Sequence, residues 1–259
     1  MLITLTSDFG AKDAFVGIMK GVIAQINPRA TVVDLTHGIP SQDVFAAAMV
    51  LRHAVGYFPR GTVHVVVVDP GVGSARRPLL IEGNESYFIG PDNGVLSLLW
   101  EERQPKRIIH LSNRTYYLQP TSATFHGRDI FAPIAAYLSL GVAPVAFGES
   151  VDHFVRIALP DLLRSGRSVT GEIVYIDGFG NLYSNIREGD LLELDREKIS
   201  TVLGAVTIRG LAPNYAAVAK GQPVALINSW GLLEVAANKD SAARLFHIGI
   251  GEKVYVSVT

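Results

Sequence analysis

Along the first half of the chain, short apolar runs alternate with stretches in which apolar residues recur every three or four positions. Residues 2–6 (LITLT) are strand-like. A helical pattern follows, with Phe15, Ile18, Met19, Val22, Ile23 and Ile26 on one side and Asp13 placed to cap it. Residues 31–35 (TVVDL) read as the next strand. Pro40 and Ser41 then open a second helical pattern, with Val44, Ala47, Ala48, Leu51 and Val55 on its apolar face. Residues 62–68 (TVHVVVV) are almost uniformly apolar, as a parallel strand covered by helices on both faces must be. This alternation predicts an α/β layered domain with a mostly parallel sheet.

The second half changes character. After residue 168 the runs are short and β-like (SVTGEIVYID, NLYSNI, AVTIRG, PVALIN, LLEVAA, KVYVSV), divided by Gly, Asn, Asp and Pro, with no long helical period. They predict a smaller all-β domain, a barrel or sandwich. The expected domains are 1–155 and 168–259, with 152–168 as the linker, where charged and apolar residues mix without period.

Composition narrows the picture. With 48% hydrophobic and 18% charged residues in 259, the chain is globular and large enough for a sizeable core. A formal net charge of -1 gives no electrostatic reason to expect nucleic acid or an anionic membrane as partner. There is no cysteine, so disulfides, thiolate metal sites and cysteine nucleophiles are excluded. The opening MLITLTSDFG reads as a strand rather than a secretory leader, and no apolar run approaches a membrane span. The expectation is a cytoplasmic protein.

In open α/β sheets, ligands bind beyond the carboxyl ends of the strands. Polar motifs sit at such positions. TSDFG delivers Asp8, DLTHGIP delivers Asp34 and His37, and VVDPGVGSARR delivers Asp69 with Arg76 and Arg77. FIGPDNG delivers Asp92, and TFHGRDIF delivers His126, Arg128 and Asp129. Any one acid there is an ordinary turn former. Several in one half-chain point to a shared polar crevice. After Asp69, Pro70 ends the ladder, while Gly71 and Gly73 allow a sharp turn or a close backbone approach. The loop can return Arg76 or Arg77 to Asp69, either as a structural ion pair or as a pair that orients water. GVGSAR lacks the features of a phosphate loop, and DFGAKD is no dinucleotide fingerprint.

Among the histidines, His126 stands apart and His37 is a second candidate. His53, His64, His110, His153 and His247 read as structural or surface residues, and none has zinc-ligand spacing. A magnesium or manganese site built from Asp8, Asp13, Asp69 and Asp92 stays open as an alternative. In the second half, Asp177 and Asn181 bracket a Gly-Phe-Gly turn. The segment is either an ordinary hairpin or one wall of a heterocycle pocket, with Phe179 or Trp230 stacking and Asn181 or Asn228 bonding an edge.

Taken together and in order, TLTSDFG, VGIMKG, DLTHGIP, YFPRGTVHVVVVDPGVGSARR, GPDNGVL, TFHGRDIFAP, IDGFGNLYSNI and NSWGLLEVAAN resemble the S-adenosyl-L-methionine hydroxide adenosyltransferases. These adenosine-forming hydrolases are relatives of the fluorinases and chlorinases. The resemblance implies an N-terminal α/β domain and a C-terminal β-barrel. It also implies a homotrimer with active sites between neighbouring subunits. By the same resemblance, Asp69, Arg76 and His126 form a water-activating triad, and Asp8 binds the ribose. Phe125, Asp177, Phe179, Asn181, Asn228, Ser229 and Trp230 contribute to the substrate site, Asp177 and Asn181 holding the methionine amino group and the adenine. The halogenases keep a hydroxyl-bearing halide pocket after the aromatic. Here Phe125-His126-Gly127 lacks that serine, which matches the hydrolase branch. The implied substrate is S-adenosyl-L-methionine, with no cofactor and no metal. A metal-dependent phosphatase or nucleotidase and a non-catalytic nucleoside-binding module are the competing readings.

Overall fold

The computed structural model describes residues 1–101 and 104–258. The chain divides into two compact units, Met1–Ala158 and Leu159–Thr259. In the first unit the elements run β1 (Leu2–Ser7), α1 (Phe15–Ile26), β2 (Thr31–Thr36), α2 (Val44–Ala54), β3 (Val63–Val67), β4 (Pro78–Glu82), β5 (Tyr87–Pro91), β6 (Arg107–His110), α3 (Ala132–Ser139) and β7 (Glu149–Ser150). They build a seven-stranded sheet in the order β2-β1-β3-β5-β4-β6-β7. The β2-β1-β3-β5 side is parallel, whereas β4, β6 and β7 join antiparallel. All five residues of β3 are buried, which explains its uniform apolar sequence. The core gathers Ile3 and Leu5 of β1, Val63, Val65 and Val67 of β3, and Met19 and Ile23 of α1 around α3. Each such side chain contributes about 1.5–3 kcal/mol by leaving water.

Both predicted helices form, but their starts differ from expectation. Asp13 does not cap α1, whose N-cap is Ala14 without a side-chain bond. Its Phe15 and Ile18, expected on the buried face, are 42% and 41% exposed. α2 begins at Val44 rather than at Pro40–Ser41, because the Asp43 carboxylate accepts from Ala46 N at 2.8 Å and fixes the N-terminus there. The aperiodic stretch after residue 152 belongs to the two units in turn. Asp92 accepts from Val155 N, and Ile157 N donates to Ser97 Oγ at 3.0 Å. Asn185 Nδ2 donates to the Pro160 carbonyl at 2.7 Å.

The second unit contains β8 (Leu163–Ser165), β9 (Ser168–Ile176), β10 (Leu182–Arg187), β11 (Ile199–Leu203), β12 (Val206–Arg209), β13 (Pro223–Ile227), β14 (Leu232–Ala237), a single turn of helix α4 (Ala242–Phe246) and β15 (Lys253–Val258). Every pairing is antiparallel, in the order β12-β11-β15-β9-β10-β14-β13 with β8 against β9. The long strand β9 pairs with β15 along its first half and β10 along its second, and Ala212 N, just past β12, bonds the Ala225 carbonyl of β13. The sheet therefore curls into a nearly closed barrel around Ile173, Leu182, Ile186, Leu233 and Val254. Among the described residues, no helix is long and apolar enough to cross a membrane.

His64 is the second residue of β3, 1% exposed, with Nδ1 2.9 Å from Thr4 Oγ1 and its ring stacked on Phe88. Burial pushes its pKa from 6.5 down to about 4. The unfolded chain thus binds this proton more readily, so stability must fall as pH drops through the window between 6.5 and about 4. Urea unfolding at pH 7 and pH 5 is expected to show His64 contributing about 2 kcal/mol of that loss, absent in His64→Gln. An equal loss in the variant would mean the burden lies elsewhere.

Candidate active site

Three parallel strands end on one side of the first unit, and the loops that follow carry its chemistry. Beyond β3 the chain turns at Asp69 and Pro70. Gly73 adopts φ +77°, and a Cβ there would lie 2.3 Å from the Ala123 carbonyl. Only glycine fits, because the loop is pressed against the segment leading to His126. The loop then returns Arg76 to Asp69 in a two-pronged ion pair. Nε donates to Oδ1 at 2.9 Å and Nη2 donates to Oδ2. Both side chains are almost fully buried, 8% and 5% exposed. The next arginine takes a separate partner. Arg77 forks onto Asp92 at 2.9 and 2.6 Å and reaches the His153 carbonyl.

His126 completes the first cluster. It precedes a π-helical turn, Gly127–Phe131, that leads into α3. Gly127 lets this turn pack closely, since a Cβ would meet Met19, Phe125 and Val67 at 3.1–3.3 Å. Asp129, wholly buried, accepts from Ser122 N and from Arg128 and so pins the segment. Arg76 Nη2 lies 2.6 Å from His126 Nδ1. A guanidinium keeps its protons, so Nδ1 is the acceptor and the ring proton resides on Nε2. Burial first, and then the Arg76 charge, hold the His126 pKa below its ordinary value, with Asp69 and Asp129 opposing. The ring is therefore neutral at pH 7.

Asp69 and His126, with Arg76 behind them, border a cavity of about 390 Å³ that is also lined by Asp8, Asp13, Gln42 and Phe125 among others. Asp8 follows β1 directly, and its Oδ2 accepts from Gln42 N at 2.8 Å. Among the described residues, nothing donates a hydrogen bond to its Oδ1. Phe9, Phe15 and Phe125 meet with ring centroids 5.2–5.9 Å apart and form an apolar wall. The exposure of Phe15 thus reflects a place in the cavity rather than in the core. His37 does not line the cavity. Asp92 lies apart on Arg77, and among the described residues no group of three or more His, Asp or Glu is disposed to hold a metal ion.

The second unit carries its own groove, about 1230 Å³, along the turn between β9 and β10. Asp177, Phe179 and Asn181 all line it. The Asp177 carboxylate accepts from Phe179 N, Asn181 N and Asn181 Nδ2, each at 2.9 Å. It is held rigidly while Phe179 stays 80% exposed. Asn228, Ser229 and Trp230 instead form the turn between β13 and β14. Asn228 Oδ1 accepts from Trp230 N and Leu232 N, and Trp230 packs on Tyr175 and Tyr183. Three residues here were not singled out by their sequence. Tyr183 and Tyr215 line the groove, and Tyr183 OH reaches Asp177 Oδ2 at 3.3 Å. Glu234, directly across from Tyr183 on β14, is fully buried. The Tyr215 hydroxyl and Asn228 amide lie against it without well-formed hydrogen bonds. Burial lifts the Glu234 pKa despite them, and Asp177 adds to the rise. Strand alternation in LLEVAA was the available signal, since it sets Glu234 on the face opposite its apolar neighbours.

Comparison with known proteins finds matches for both units. Residues 3–148 match the SAM hydroxide adenosyltransferase N-terminal domain and residues 171–255 the corresponding C-terminal domain. A relative from Thermus thermophilus, named (R)-S-adenosyl-L-methionine hydrolase, is 38% identical over 91% of this chain and 91% of its own. A Salinispora tropica protein of the same name is 37% identical over 98% of this chain and 97% of its own. The crystal structure of an uncharacterized conserved protein from Thermotoga maritima superposes with a TM-score of 0.92 at 33% identity, covering 99% of this chain and all of that one.

The close approach at Gly73 makes a clear prediction. Gly73→Ala must displace either the Asp69–Arg76 loop or the segment before His126. Thermal melting should show a loss beyond the roughly 1–2 kcal/mol of left-handed strain alone. Gly61→Ala is the control, since Gly61 has φ +81° and nothing within 4 Å of its Cβ. Equal losses in the two variants would show that the contact with Ala123 is unimportant.

Proposed function

The chain belongs to the S-adenosyl-L-methionine hydroxide adenosyltransferase family, and from that membership we propose that it hydrolyses S-adenosyl-L-methionine to adenosine and L-methionine. The observation that carries the reading is the buried Asp69–Arg76–His126 cluster at the wall of a cavity that also contains Asp8.

The substrate's 5′ carbon bears a sulfonium, whose departure yields a neutral thioether. The leaving group needs no acid. The reaction needs a water oxygen held in line with the carbon–sulfur bond, and such positioning is worth about 7–11 kcal/mol in favourable cases. The oxygen–carbon bond forms as the carbon–sulfur bond breaks, its electron pair returns to sulfur, and the proton lost from the attacking water passes to solvent. Asp69 keeps the Arg76 fork planar and fixed. Arg76 in turn holds His126 as an Nε2–H donor. The pair presents positive charge and a hydrogen-bond donor to the attacking oxygen, and so favours hydroxide character as the bond forms. Asp8 grips the ribose hydroxyls, with Phe125 against the nucleoside. Asp177 and Asn181 recognise the amino-acid and adenine portions, Phe179 stacks, and Asn228, Ser229 and Trp230 shape the adjoining wall. The functional form we assign is a cytoplasmic homotrimer with active sites between neighbouring subunits.

Two measurements test these roles. Arg76→Ala should lower kcat for adenosine release by about 100-fold or more while changing substrate Kd far less. Equal loss of both would remove the nucleophile-orienting role. The kcat/KM profile should also stay flat as pH falls through the ordinary histidine range near 6.5 and decline only below it, because His126 resists protonation. An acid limb at or above 6.5 would contradict a neutral His126 held by Arg76.

A further inference from the structure

We propose that His37 is a positioning residue for Asp8, acting through a directed hydrogen-bond chain that runs behind the cavity. The inference rests on the reading that Asp8 binds a ribose. β1 and β2 are parallel neighbours whose register slips by one residue, so that Leu5 pairs with Asp34 but Thr6 with Thr36. The extra residue brings His37, the first residue beyond β2, level with Ser7, the last of β1. Without it, Thr36 would stand there.

The loops then interlock at three points. Ser7 Oγ lies 2.7 Å from His37 Nδ1, Gly10 N donates to the His37 carbonyl at 2.8 Å, and Gln42 N donates to Asp8 Oδ2 at 2.8 Å. Proton directions along the chain are determined. The Asp34 carboxylate can only accept, so His37 Nε2 carries a ring proton and donates to Oδ1 at 3.0 Å. In that tautomer Nδ1 accepts from Ser7 Oγ, which itself accepts from Phe9 N at 3.3 Å. Lys20 Nζ, 2.6 Å from Asp34 Oδ2, closes the far end.

Ser7 is 2% exposed and does not face the cavity. This serine-histidine-aspartate line is therefore a brace and not a nucleophile. It fixes the residues on either side of Asp8, while Gln42, at φ +65°, fixes the carboxylate itself. A vicinal diol is recognised well only by a carboxylate held in one orientation. His37 supplies that fixity without touching the ligand.

The test is a double-mutant cycle in the intact protein, read by KM and kcat for S-adenosyl-L-methionine and by calorimetric Kd for adenosine. His37→Ala should raise KM and adenosine Kd about tenfold, the worth of one hydrogen bond to a charged group, with kcat within about twofold. His37→Asn, whose amide oxygen reaches the Nδ1 position, should recover most of the loss. Ser7→Ala should reproduce it from the other end. In an Asp8→Ala background, adding His37→Ala should cost less than about twofold, since the residue acts through Asp8. Unchanged affinity in His37→Ala, or a full tenfold loss persisting without Asp8, would overturn the proposal. If wild type does not turn over S-adenosyl-L-methionine, the hydrolase reading fails, yet the adenosine cycle still decides the coupling. If wild type does not bind adenosine either, both fall.

Discussion

A guanidinium withdrawn from water must be matched, and the first unit is arranged around the matching of Arg76. Asp69 meets it with two parallel bonds and His126 supplies a third acceptor. The end of β3 and the loop just beyond it are thereby brought within hydrogen-bond distance of the turn before α3, 50 residues further along the chain. Truncating either ion-pair partner would leave a buried charge unmatched, at about 3–5 kcal/mol. Lysine could not substitute, because a single ammonium cannot fork onto Asp69 and still reach the imidazole in the same plane. The same constraint determines the chemistry. Burial, reinforced by a neighbour that never loses its proton, keeps His126 neutral, and the same neighbour sets its tautomer, so the histidine becomes a fixed donor.

The backbone is shaped to allow this. Gly73 and Gly127 let the chain pack closely here: at Gly73 no other residue fits, and at Gly127 a Cβ would press on Met19, Phe125 and Val67. The π-helical turn after His126 is a wide, costly piece of helix, a kind of irregularity that recurs at functional sites. Asp129 stabilises it from within through Arg128 and Ser122. In the second unit the same logic holds with a carboxylate in place of the cation. Asp177 is fixed by three N–H donors from its own turn. It is thereby committed to an orientation before any ligand arrives.

Much of this was legible in the sequence, for identifiable reasons. The apolar run of β3 announced a strand covered on both faces, and the DPGVGSAR loop closes locally, so an Asp–Arg pair could be foreseen. Which arginine would pair was not decided by spacing alone. Arg76 and Arg77 are adjacent, and only the competing claim of Asp92 separates them. Helix starts depart from the sequence pattern for different reasons: the Asp43 cap fixes the start of α2, whereas α1 begins after Ala14 without any side-chain cap. The Ser7–His37 contact was hidden because it depends on a one-residue slip between β1 and β2, and no single strand's pattern records its neighbour's register. Tyr215 and Glu234 meet through the pairing of β13 with β14, a register that neither strand's own pattern discloses.

The central claim is that the Arg76 cluster holds a water for attack at the 5′ carbon. Incubating the purified protein with S-adenosyl-L-methionine in oxygen-18 water with excess chelator, followed by mass spectrometry of both products, tests it most directly. The account predicts adenosine carrying one heavy oxygen and unlabelled L-methionine in equal amounts. Label in an amino-acid product, free adenine, or turnover abolished by the chelator would contradict it.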